Sequence, residues 1–203
     1  MRLLVIGAGG HAKVVVDAAR CAGFEVVGVV GLPGGREDLL GVPVSLTAEG
    51  IVADAFIVAI GDNRRRAQVF AEHAAGELPA ATVIHPSAII ADGVVIGTGS
   101  FVAAGVVVNV DARIGRNVIL NTGCTVDHDV VVGDHALVGP ASSLCGESRL
   151  GEGVTFGAGA SIIPTKIVGD WTLVGSGAAV VHNIPERVVC VGVPARPVRG
   201  IDE

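Results

Sequence analysis

From Ile84 onward every sixth residue of this chain is aliphatic or Phe, and the register holds without a slip to Val180. The series is Ile84, Ile90, Ile96, Val102, Val108, Ile114, Leu120, Val126, Val132, Val138, Leu144, Leu150, Phe156, Ile162, Val168, Val174 and Val180. With half of all residues apolar, a run of that length arises by chance roughly once in 10^5 trials. A helix repeats near 3.6 residues and a strand every 2, so neither alone yields a period of six. A short strand plus a tight turn, used three times per coil, does yield it. The product is a triangular prism of about 18 residues per coil, with coils roughly 4.8 Å apart. The large aliphatic stacks inward on its equivalent one coil away. The residue four places later is Val, Ser, Ala, Cys or Thr from Val94 to Ala178, except at Lys166, and it faces inward near a corner.

Composition agrees with such a prism. Of 203 residues 30 are Gly, only 3% are aromatic and none is Tyr, so the core is built from small aliphatics on a chain that turns often. The hexad pattern resembles the left-handed parallel β-helix of the bacterial hexapeptide-repeat acyltransferases. Gly, Asp or Arg interrupts every apolar stretch well before the roughly 18 residues a membrane span needs. The opening residues, MRLLVIGAGG, do not read as a signal peptide, since they lack a basic region followed by an apolar core and a small-residue cleavage site. With 14 Lys+Arg against 20 Asp+Glu the net charge is −6, which argues against a nucleic-acid partner. Cys21, Cys124, Cys145 and Cys190 are scattered without CxxC spacing and read as reduced, mostly buried thiols of a cytoplasmic protein.

Before residue 80 the pattern changes. Residues 2–6 read as a buried strand, 12–22 as a helix with Val14, Val15, Ala18 and Ala19 inward, 26–30 and 55–60 as further strands, and 63–75 as a polar helix. That order describes a small, largely parallel α/β domain. Gly7-Ala8-Gly9-Gly10-His11-Ala12 sits between the first strand and helix, where backbone N–H groups and a helix N-terminus meet phosphate. A nicotinamide dinucleotide site also wants a carboxylate after the second strand, and Val29-Val30-Gly31-Leu32 supplies none. Two readings stay open for the loop: contact with a phosphate or nucleotide sugar, or a glycine turn that only lets the helix pack closely.

Six histidines could carry chemistry. His73 falls on the polar helix and reads as solvated; His85 and His182 flank the prism and read as structural. His128 and His135 fall within the repeat at outward positions, third in the hexad of Val126 and fourth in that of Val132. From the residues alone a surface role and a catalytic one are equally open for them.

Four motifs in order add a resemblance that covers nearly the whole chain: Gly7-Ala8-Gly9-Gly10-His11-Ala12-Lys13, then Ala59-Ile60-Gly61-Asp62-Asn63, then Asn121-Thr122 with His128-Asp129, and finally Gly192-Val193-Pro194-Ala195-Arg196. Together they resemble the sugar N- and O-acetyltransferases that join this β-helix to a small N-terminal α/β domain. That family includes N-acetyltransferases of 4-amino-4,6-dideoxy nucleotide sugars, as in bacillosamine and perosamine pathways, and sialic acid O-acetyltransferases. The resemblance implies a Rossmann-like domain over 1–80, a left-handed β-helix over 81–182, a tail over 183–203, and a homotrimer with active sites between subunits. It implies acetyl-CoA as cosubstrate and no metal. His128 matches the general base and Asp129 the carboxylate that raises its basicity. Gly9, Gly10, His11 and Gly61 match positions holding a nucleotide-linked amino sugar. Leu137, Ala158 and Ser176 match positions lining acetyl-CoA, Leu137 through its backbone, and Lys166, Arg196 and Arg199 are candidates for its phosphates.

Two departures from the family pattern stand out. Gly31-Leu32 replaces an acidic pair that meets the nucleotide, so uridine recognition need not follow the family. Leu137 replaces a histidine beside the acetyl group, and His135, two residues away, does not inherit its role. The expected activity is acetyl transfer to the 4-amino group of a nucleotide-linked deoxysugar. O-acetylation of sialic acid or another sugar is the alternative; a zinc hydratase on the same β-helix and a ligand sensor are the other classes weighed.

Overall fold

Seventeen two-residue strands, running from Val83–Ile84 to Ala179–Val180, form the body of the computed structural model, which describes residues 1–31 and 35–201. Each pairs in parallel with the strand 18 residues away; Val126, for example, lies between Val108 and Leu144. Three sheets result, and the chain visits them in turn, so the section is a triangle. The hexad residues point inward: from Val102 to Val180 every one is 3% exposed or less. The small residues four places on are equally buried, Ser100, Val106, Ala112, Val118 and Cys124 at 0% among them. Lys166, the bulky exception, stays half-buried. The fourth hexad position turns the corner, and there Asp111, Asn117, Asp129, His135 and Glu147 adopt φ between +54° and +61°. Asn and Asp tolerate this left-handed conformation better than most residues.

The three faces differ in their outward residues. One carries Val83, Phe101 and Ile119, all 2% exposed or less because the amino-terminal part lies on them. The second presents Ile89, Val107, Thr125, Ser143, Ser161 and Ala179, with no charge among them. The third presents Val95, Arg113, Val131, Arg149 and Ile167. We call them the covered, small-residue and arginine faces.

The amino-terminal part comprises β1 (Arg2–Ile6), α1 (Gly10–Cys21), β2 (Glu25–Val30), β3 (Asp38–Leu39), β4 (Val42–Ser45), β5 (Ala55–Val58) and α2 (Asn63–Ala74). Its sheet has the order β3-β4-β2-β1-β5 and is parallel except where β3 meets β4. β3 and β4 are additions to the expected elements; each is short and one contains Pro43, so no apolar run marks them. Strand alternation splits β1: Leu3 and Val5 belong to the core shared with α1 and the prism, Leu4 and Ile6 to a second cluster with Val69 and Phe70 of α2. On α1 the buried set is Ala12, Val15, Val16, Ala18 and Ala19. Val14 is 43% exposed rather than inward, because the helical face counted from Ala12 passes through 15, 16 and 19.

At the far end the strand Val188–Val191 continues the covered face beside Leu173–Val174, and the strand Arg196–Gly200 folds back on it antiparallel. All four cysteines are free, but only Cys124 and Cys190 are buried; Cys145 is half-buried and Cys21 exposed. No described helix is long and apolar enough to cross a membrane. Leu32, the second residue of the pair that replaces the family's acidic one, lies outside the described residues.

Candidate active site

His128 stands at the edge between the small-residue and arginine faces, in the turn that follows Thr125–Val126. Its Nδ1 lies 2.9 Å from Oδ2 of Asp129. A carboxylate only accepts hydrogen bonds, so Nδ1 carries the proton and the Nε2 lone pair is left free. The hydrogen bond to Asp129, with the further charge of Asp127, raises the His128 pKa above its ordinary value. Asp127 also fixes the backbone: its Oδ1 accepts from the His128 N–H at 2.8 Å and from Asn109 Nδ2 at 3.1 Å one coil below. One coil above, Gly146 lies against the ring. A Cβ there would stand 2.6 Å from both Cε1 and Nε2 of His128. Gly146 does not have positive φ, so glycine serves here to admit the imidazole rather than to make the turn.

Beside this pair a groove of about 690 Å³ opens on the arginine face, lined by Asp111, Arg113, Asp129, Val131, Glu147, Arg149 and Thr165. Edge carboxylates at 18-residue intervals, Asp111, Asp129 and Glu147, thus stand beside Arg113 and Arg149, with Val131 between the two arginines, which makes the groove polar and of mixed charge.

A second cavity, of about 570 Å³, lies in the amino-terminal part. Gly7, Gly9, Gly10, His11, Gly31, Leu46, Gly61, Arg65, Val69, Glu72 and His73 contribute to its wall. The four glycine-loop and turn residues singled out in the sequence, Gly9, Gly10, His11 and Gly61, therefore meet around one space. Gly31 is one of the positions where a side chain would not fit: a Cβ would meet Val44 at 2.7 Å and Ala8 at 3.0 Å. His11 is turned edge-on to Phe101 of the prism at 5.4 Å between centroids. Burial, reinforced by the charge of Arg66, pushes its pKa down to about 4, so the ring is neutral.

His73 is not the solvated residue its polar helix suggests. It lines this cavity, half-buried, with Nδ1 2.9 Å from the Val69 carbonyl and its ring 5.6 Å from that of Phe56. His135 is likewise withdrawn from solvent. Its Nδ1 lies 2.8 Å from Asn117 Nδ2, its ring packs edge-on to Phe70 at 5.9 Å, and burial lowers its pKa.

The positions matched to acetyl-CoA are more dispersed. Ala158 and Ser176 are exposed and stacked in successive coils at the edge between the covered and small-residue faces. Leu137 is half-buried on the covered face, and its N–H donates to Val154 O at 2.8 Å, so that donor is already used within the sheet. Among the described residues no group of three or more His, Cys, Asp and Glu is arranged to hold a metal ion.

Besides Gly146, sequence reasoning missed Arg66, 1% exposed between the two parts of the chain. With Asn63 it ties α2 to the prism: Asn63 Nδ2 donates to the carbonyls of Gly153 and Val154 and to Thr155 Oγ1, and Arg66 donates to the carbonyls of Asn117, His135 and Ala136. Asn63, Arg66 and Phe70 recur at helical spacing on the buried face of α2. An arginine in that stripe is the signal that could have revealed the junction.

Within one chain these sites do not converge. The amino-terminal part lies on the covered face and along its edge with the arginine face. His128 occupies the opposite edge of the triangle.

Comparison with known proteins adds the following. Residues 2–73 match the family described as the PglD N-terminal domain. Perosamine N-acetyltransferase from Caulobacter crescentus, solved as a histidine-to-asparagine variant with CoA and GDP-perosamine, is 38% identical. That likeness covers 98% of this chain and 97% of that one, with a TM-score of 0.93. The acetyltransferase domain of PglB from Neisseria gonorrhoeae is 35% identical over 97% of this chain and 99% of that one, with a TM-score of 0.91. UDP-N-acetylbacillosamine N-acetyltransferase from Bacillus subtilis is 36% identical over 101 residues, so the match spans about half of each protein, 46% and 47%.

Proposed function

The chain belongs to the β-helical sugar acetyltransferases that carry a PglD-type amino-terminal domain, and from that premise we propose that it acetylates the 4-amino group of a nucleotide-linked amino-deoxysugar with acetyl-CoA. The observation that carries this reading is the exposed His128–Asp129 pair at 2.9 Å, on a chain alike over its whole length to an enzyme solved with GDP-perosamine and CoA. The sugar amine attacks the thioester carbonyl; the new C–N bond forms as the C–S bond breaks and CoA leaves. Nε2 of His128 takes the proton released from nitrogen and returns it to the departing sulfur. Asp129 supports the imidazolium that forms between these events.

Gly9, Gly10, His11 and Gly61 would hold the nucleotide diphosphate in the amino-terminal cavity, with backbone N–H groups at the start of α1 offered to phosphate. Ala158, Ser176 and the backbone near Leu137 are assigned to acetyl-CoA, with Lys166, Arg196 and Arg199 available for its phosphates. The separation of the nucleotide cavity from His128 within one chain supports a homotrimer, in which the sugar held by one subunit meets the His128 of a neighbour. The small-residue face, uncharged and with Ile89 at 65% exposure, suits such packing.

Acetyl transfer should be measured with UDP-, GDP- and dTDP-linked 4-amino sugars and with their 4-hydroxyl analogues. Turnover of an amino sugar and none of its hydroxyl analogue supports the reading; preference for the hydroxyl compound or for free sialic acid transfers it to O-acetylation. Sedimentation of the same preparation tests the trimer.

A further inference from the structure

Among the described residues Arg66 is a buried cation with no ion-paired carboxylate; the charge of Asp62 reaches it only through space. Its Nε donates to Asn117 O at 3.1 Å, Nη1 to the carbonyls of Ile60 at 3.0 Å and Gly61 at 3.3 Å, and Nη2 to Asn63 Oδ1 at 2.7 Å, His135 O at 2.6 Å and Ala136 O at 3.3 Å. Every acceptor is a neutral oxygen. Among the described residues no carboxylate lies within ion-pair distance of it. The nearest acid in sequence, Asp62, is engaged in capping α2 through the Arg65 N–H at 2.8 Å. Burial draws the guanidinium down to about 10, which leaves it charged at neutral pH.

If Arg66 only fastened two parts of the chain together, a neutral side chain or a partnered arginine would serve at less electrostatic cost. Its place suggests more. Ile60 and Gly61 line the amino-terminal cavity, and both carbonyl oxygens are drawn inward to the guanidinium. The wall facing the cavity is thereby relieved of two negative dipole ends, and a full positive charge stands behind it. The same charge contributes to keeping His11, another lining residue of the cavity, unprotonated.

We propose that Arg66 is a positioning residue for the substrate diphosphate: from behind the Ile60–Gly61 turn it orients that turn and supplies the positive field the bound anion requires, without touching it. This rests on the nucleotide reading of the cavity given above.

The test is calorimetric binding of uridine, UMP, UDP, guanosine, GMP and GDP to the full chain as wild type, Arg66→Met and Arg66→Lys. In Arg66→Met the diphosphates should lose at least about tenfold in affinity while the nucleosides change by less than about threefold. Arg66→Lys, which keeps the charge but cannot serve all the carbonyls, should preserve the ratio of diphosphate to nucleoside affinity even where its melting temperature falls. Equal losses for nucleoside and diphosphate, or none, in Arg66→Met would overturn the assignment and leave a fastening role. Should Arg66→Met not fold, collapse of the ratio in Arg66→Lys would overturn it equally. A wild type that binds no nucleoside diphosphate removes the nucleotide reading itself, a failure visible in the wild-type arm alone, and the inference falls with it.

Discussion

Two edges of the same prism carry a histidine in the same kind of turn and place it in opposite surroundings. At the edge between the small-residue and arginine faces His128 is exposed, paired with Asp129 and raised in pKa. Seven residues later, on the edge against α2, His135 is half-buried beneath Phe70, bonded to Asn117 and lowered in pKa. The turns share backbone geometry; they differ in which hexad position holds the histidine and in what lies outside. His128 takes the third position, leaving the left-handed fourth to Asp129 at φ +59°, while His135 takes the fourth itself at φ +61°. The surroundings of these two histidines are therefore set by one step of phase and by whether another element covers the edge.

The contrast breaks most sharply with substitution of each ring. His128→Ala should reduce kcat by about 10²- to 10⁴-fold with the melting temperature little changed. His135→Asn, which suits the left-handed backbone, should leave kcat within about threefold but lower stability by about 1–2 kcal/mol. A preparation in which both variants lose activity equally would mean that the edges are not functionally distinct. Steady-state kinetics beside thermal melts separates these outcomes.

Gly146→Ala comes next in size. The added methyl displaces the free end of the imidazole, a movement that is inexpensive to the fold but not to proton transfer. A fall of about 10- to 100-fold in kcat, with a melting temperature near that of the wild type, is expected.

Asp129→Asn should have a smaller effect, about tenfold on the plateau of kcat/KM, together with a diagnostic shift. A general base works in its neutral form, and Asp129 raises the pKa of His128, the proposed base, so loss of the carboxylate should carry the acid limb of the pH–rate profile to lower pH. An unmoved limb would indicate that Asp129 does not tune the base.

The last effect is on stability rather than on rate, and it is read against pH. His11 and His135 have folded pKa values below their unfolded ones, so the unfolded chain takes up protons first as pH falls. The stability they contribute is complete above about 6.5 and is lost as pH falls, toward about pH 4 for His11, where it amounts to on the order of 3 kcal/mol at most. His128 has the opposite sign: its contribution is present below its unfolded pKa and fades as pH rises through the raised value. Urea titrations across pH 4–8 of the wild type and His135→Asn would show whether the acid side is governed as described.

The prism was legible because each hexad repeats one instruction, and Ile84 through Val180 obey it regardless of neighbours. The His128–Asp129 pair was legible for a related reason, since both members are adjacent in sequence and need no tertiary partner. Gly146 was hidden among many glycines that serve turns, and only the ring 18 residues behind it gives it a distinct purpose. Arg66 was hidden because its partners, Asn117, His135 and Ala136, lie more than fifty residues away and act mainly through backbone oxygen. His73 was misjudged by its polar neighbours, whereas the helix turns it toward Phe56. β3 and β4 carry too few apolar residues to declare themselves and are held by the neighbouring strand.

The 18-residue coil has a consequence for how such a chain can change. Packing depends on position modulo six, whereas the edge on which a side chain emerges depends on position modulo eighteen. Loss of a single hexad before His128 would preserve every buried contact type and yet rotate all later residues by a third of a revolution, carrying the histidine to a different edge. Loss of three hexads would return it to its own edge, one step lower along the axis. The core thus tolerates a finer unit of insertion and deletion than the chemistry does, and lineages of this fold should grow and shrink by whole revolutions wherever a site must stay in place.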